Sequence, residues 1–75
     1  MGSKYPLLAP DEIIWTLSKL GFQKVSQKGS HAKYKNDTSP VRTVIIPMHS
    51  EIARGTLKSI LDQAGISLEE FLELL

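Results

Sequence analysis

His31 and His49 are the side chains of this sequence whose ordinary pKa, about 6.5, suits proton transfer near neutral pH. His31 follows Gly29-Ser30 and sits among Lys28, Lys33 and Lys35, with Lys24 shortly before. In that company a histidine could move a proton at a phosphate-bearing substrate while ammonium groups orient the anion and stabilise developing charge. The same residues have plainer uses. Lysine runs commonly keep a face in solution, and a histidine after Gly-Ser is commonly a turn-edge residue. His49, just past Pro47, serves equally well as a second proton-transfer group or as a cap for the loop before the helix that holds Arg54. Two histidines do not specify a metal site, which usually takes three or four ligands. No cysteine is present to supply a thiolate. Neither a metal nor a cofactor is expected. A helix start near Gly55-Thr56 has free N–H groups that bind phosphate in some proteins, but an ordinary helix start explains the same residues.

The elements that must position these groups follow from spacing. Residues 10–20 predict a helix. Pro10 suits its first position, Asp11 and Glu12 suit its positive end, and Ile13, Ile14, Leu17 and Leu20 share a face. Gly21 is placed to stop it. Residues 22–28 look extended, with Lys24, Ser26 and Lys28 on one parity and Val25 on the other. Gly29-Ser30 is a turn. Residues 31–35 alternate, with His31, Lys33 and Lys35 facing one way and Ala32 and Tyr34 the other, toward a core. Residues 36–40 form a loop by composition. Residues 42–46 are β-branched, apolar on both parities, and end at Pro47; their buried face cannot be read, and their edge is open to a partner. Leu57, Ile60, Leu61 and Ala64 mark a second helix that Gly65 stops. Ser67 and Glu70 form a capping box. Leu68, Phe71, Leu72 and Leu75 then mark a short third helix docking on the same core. Trp15 lies off the first helix's apolar stripe, and packing under Tyr5-Pro6-Leu7 or binding a partner would each employ it.

Short connections favour an antiparallel meander. Two long helices would cover one sheet face, giving a two-layer α+β sandwich. The other face would carry His31, Lys33 and Lys35, with Lys24 and Lys28 nearby provided the alternation of residues 22–28 runs unbroken. Residues 1–75 form one domain, with residues 1–9 extended or frayed.

Composition fits this plan. With 75 residues and 41% hydrophobic side chains, the chain suits one small globular domain and argues against disorder. No apolar run reaches the roughly 20 residues of a membrane helix, and the N-terminus lacks a signal-peptide apolar region. A cytoplasmic protein without a membrane partner is expected. Net charge is only +1, yet six basic residues between positions 19 and 42 face one acid, Asp37. Residues 51–75 reverse the balance. A concentrated basic field of this kind can attract a polyanion.

Four blocks, taken together, match a known pattern. They are Leu20-Gly21-Phe22, Gln27-Lys28-Gly29-Ser30-His31, the stretch from Val44 to His49, and the stretch from Gly55 to Gly65. The chain from about Pro10 onward resembles the HicA, or YcfA-like, family of toxin mRNA interferases. The resemblance implies a fold like the double-stranded-RNA-binding domain. It implies a metal-independent endoribonuclease that cuts single-stranded mRNA, with the block's histidine, here His31, as catalytic residue. It implies a HicB-type antitoxin as partner. RNA contacts would come from Lys24, Lys28, Gly29, Ser30, Lys33 and Lys35, with His49 as a possible second proton-transfer group. Two positions depart from the family. Ala32 stands where many relatives carry a longer polar or histidine side chain, and Ser26 stands where relatives often carry arginine. Both departures are expected to weaken RNA contacts. A non-catalytic RNA-binding module of the same fold, or a domain whose open face binds only protein, are the competing expectations.

Overall fold

The computed structural model describes residues 5–48 and 51–75. Its order is α1 (Pro10–Ser18), β1 (Gln23–Lys28), β2 (His31–Lys35), β3 (Thr43–Pro47), α2 (Arg54–Ala64) and α3 (Leu68–Leu74). The strands form one antiparallel sheet in the order β1-β2-β3. This is the expected α+β meander with helices on one side.

α1 starts at Pro10, and the Glu12 carboxylate accepts from the Ala9 N–H at 2.9 Å. Its end comes two residues before the expected Leu20, because the last turn tightens. Leu20 N donates to Leu17 O at 2.9 Å, and Phe22 N reaches back to Leu17 O at 3.3 Å. This reversal turns on Gly21, whose φ of 87° is strained for any residue with a Cβ. It delivers Phe22, buried, to the core and launches β1. The β1–β2 hairpin closes over Gly29-Ser30. Gly29 has φ 59°, and no non-glycine residue among those described has positive φ. Positive φ at the first central residue alone is the pattern of a type II′ turn, which matches strand twist.

The core lies between sheet and helices. It is built from Ile13 and Leu17 of α1, Ala32 and Tyr34 of β2, Val44 and Ile46 of β3, Leu57, Ile60, Leu61 and Ala64 of α2, and Phe71 of α3. Burial pushes the Tyr34 phenol above its ordinary pKa, and the charge of Asp11 adds to this. β3 is thereby resolved. Val44 and Ile46 are fully buried, so Ile45 points to the open face. The N-terminal segment lies against the fold, where Ile52 N donates to Leu8 O at 2.7 Å and both side chains are buried.

Four expectations change. β1 buries neither face, and all six of its residues are exposed. The β3 edge is less open than its composition suggests. Ile45 N donates outward to Gln63 Oε1 at 2.9 Å, and Pro47 has no N–H to offer. α3 keeps its capping box, with Glu70 N donating to Ser67 Oγ at 3.1 Å, but only Phe71 reaches the core fully; Leu72 and Leu75 remain exposed. Trp15 is not packed away. It is 57% exposed, with the Lys19 ammonium 3.7 Å above its ring. Among the described residues, no helix is long and apolar enough to cross a membrane.

Candidate active site on the open sheet face

Register fixes the open face residue by residue. His31 pairs with Lys28 on one side and Pro47 on the other. Lys33 pairs with Ser26 and Ile45, and Lys35 pairs with Gln23 and Thr43. Directly opposed residues share a face, with Cβ atoms about 4.5–5.5 Å apart. Successive rows along a strand are about 7 Å apart. Lys28 therefore stands beside His31, and Lys33 one row away. β2 owes this placement to its alternation: Ala32 and Tyr34 are drawn under the helices, and His31, Lys33 and Lys35 are turned to solvent.

Lys24 does not join them. A bulge at Val25 inserts one extra residue into β1, so Lys24 pairs with Tyr34 while Lys28 pairs with His31. The expected single parity of Lys24, Ser26 and Lys28 is broken at that point. Lys24 belongs to the helix-side face, where its ammonium donates to Gln27 Oε1. Gly29 and Ser30 form the turn beside His31. His49 lies outside the described residues.

The two departures from the family pattern now separate. Ala32 is fully buried on the helix side, so a change there bears on packing rather than on the open face. Ser26 is exposed in the row of Lys33, so an arginine at this position would add a cation to the open face.

Electrostatically the face is uncompensated. Among the described residues, the only ion pair is Lys58–Asp62 on α2, at 3.1 Å. Within that same set, Lys28, Lys33 and Lys35 have no carboxylate at ion-pair distance. No group of three or more His, Asp or Glu side chains able to hold a metal occurs among the described residues. An exposed imidazole beside free ammonium groups can do one kind of chemistry well. It can exchange protons with a bound anion whose charge the lysines neutralise. That Ile45 and Pro47 share this face is not legible from spacing, because both parities of residues 43–47 are largely apolar.

The chain matches no curated protein. Residues 10–66 match the model of a family described as the HicA toxin of bacterial toxin–antitoxin systems. The match spans α1 through α2, and so includes every strand of the open face.

Proposed function

Because this chain belongs to the HicA family of bacterial toxin–antitoxin toxins, we propose that it is a metal-independent endoribonuclease that cuts mRNA and is held inactive by a HicB-type antitoxin. The observation that carries the reading is His31, exposed beside Lys28 and one row from Lys33 on a face without acids. His31 takes the proton from a ribose 2′-hydroxyl. The freed oxygen attacks the neighbouring phosphorus, the bond from phosphorus to the 5′-oxygen breaks, and that oxygen leaves with a proton from the imidazolium or from His49. Lys28 and Lys33 neutralise the crowded phosphoryl oxygens. The products are a 2′,3′-cyclic phosphate and a 5′-hydroxyl.

Purified protein incubated with single-stranded RNA and excess chelator should yield those ends. Cleavage that requires added divalent metal would sink the mechanism. RNA that is bound but never cut would favour the non-catalytic module.

Affinity should depend on salt through the lysine face. On single strands each neutralised phosphate contributes about −0.7 to the slope of log affinity against log salt. Replacing Lys33 and Lys35 together by alanine should flatten the slope by about 1.4, if each meets one phosphate. Both side chains are exposed, so folding should be unaffected. An unchanged slope would place the RNA elsewhere, for instance along the Arg54–Lys58 stretch of α2.

The antitoxin should cover His31 directly. Free lysines favour an acidic partner surface, since opposite potentials speed encounter and fix register. In a complex with a HicB-type antitoxin, amides of residues 28–35 should exchange more slowly than in the free protein. Protection confined to α3 would rule out direct occlusion.

A further inference from the structure

We propose that Ile45 and Pro47 of β3 form a platform for RNA bases while Lys28 and Lys33 hold the adjoining phosphates, a reading that rests on the ribonuclease assignment above. The open face is divided lengthwise. The paired residues that β1 and β2 contribute are Gln23, Ser26, Lys28, His31, Lys33 and Lys35, all polar or cationic. β3 contributes Thr43, Ile45 and Pro47. The core accounts for Val44 and Ile46 but not for Ile45, which is 36% exposed although its neighbours on both sides are fully buried.

The platform sits beside the chemistry. Pro47 pairs directly with His31, and Ile45 with Lys33. Its backbone is held. Gln63 of α2 accepts the Ile45 N–H at 2.9 Å, and the proline ring fixes its own φ. Single-stranded nucleic acid needs both components, a cationic track for the backbone and a surface on which unstacked bases lose water. One strand spacing, about 4.8 Å, separates the cationic column from the apolar one. A nucleotide with its phosphate at Lys33 thus sets its base over Ile45. Free cations alongside make RNA a better occupant than an apolar protein segment, which would have to desolvate Lys33 and Lys28 to reach Ile45. Neither Ile45 nor Pro47 offers a hydrogen-bonding side-chain group, so the platform accepts any base and contributes little to choosing among them.

The test measures binding of a fully 2′-O-methylated eight-nucleotide RNA, which lacks the attacking hydroxyl, and of the same strand with abasic sites. Wild-type protein should prefer the strand with bases. Ile45→Ala should weaken binding to that strand about fivefold, because the shorter side chain leaves more of the base in water, and should leave abasic binding unchanged. Ile45→Tyr should strengthen binding to the strand with bases about fivefold or more, because an aromatic ring stacks on bases. Tyrosine suits an exposed strand position, and melting curves check that both variants fold. Equal preference for bases in wild type and both variants overturns the platform. So does weaker antitoxin binding by Ile45→Ala with RNA binding untouched, which would make Ile45 a protein-binding residue. Salt-dependent binding that ignores the bases removes the platform alone, whereas no RNA binding by the wild type removes the ribonuclease assignment as well.

Discussion

His31→Ala is expected to lower the rate of RNA cleavage by about 10²–10⁴-fold, the usual contribution of a positioned acid–base group. The loss should appear in the chemical step and not in binding. His31 is exposed on β2 and contributes nothing to the core, so the variant should melt at nearly the wild-type temperature. Lys28, Lys33 and Lys35 remain, so affinity for uncleavable RNA should stay within about threefold. Expressed in a bacterial host, the wild type should arrest growth and deplete mRNA, and the variant should do neither. This pairing separates the readings of the face. A binding module needs lysines but no titrating group, so it would lose nothing when His31 is replaced. Full cleavage by His31→Ala would move the proton transfer to another residue, with His49 the first to replace next.

How far the sequence discloses this site differs from element to element. β2 is fully legible, since strict alternation with small or aromatic residues on one parity leaves only one way to face a core. The capping box of α3 and the glycines after both long helices are legible for a similar reason: each is a local hydrogen-bonding or backbone requirement. β1 is not. Its alternation looks regular, but a bulge is set by how the partner strand and the twist accommodate one surplus residue, and Val25 carries no mark of it. β3 is ambiguous because Val44, Ile45 and Ile46 are interchangeable on hydrophobicity alone. Only the covering helix decides which of them is inside, and that is a tertiary fact. The apolar spacing of α3 misleads at Leu72 and Leu75. A helix of seven residues presents a narrow face, and Phe71 by its size takes most of it. Trp15 illustrates the converse. Packing under the N-terminal segment is the first expectation for a large aromatic off the apolar stripe, yet the fold leaves it outside under the Lys19 ammonium.

Phe71→Ala should be the most damaging single change to stability. Phe71 is fully buried and heads the largest buried side chains of the core. Truncating such a phenylalanine typically costs about 3–5 kcal/mol, from lost transfer energy and the cavity left behind. A domain of this length has roughly 4–11 kcal/mol in all. At about 4–8 °C per kcal/mol, the melting temperature should fall by more than about 12 °C. The position lies beyond residues 10–66 that match the family. Leu72→Ala provides the contrast. It is the same kind of truncation one residue along the same helix, at a side chain 42% exposed, and should cost under about 1 kcal/mol. Alanine is a good helix former at both places, so helix propensity cannot produce the difference. A denaturant titration of the two variants decides the matter. Equal midpoints would mean that α3 is not docked in solution. A large gap would mean that α3 closes the core beneath the sheet that presents His31. Growth arrest by Phe71→Ala should then weaken in proportion to the folded fraction, with the cleavage rate per folded molecule unchanged.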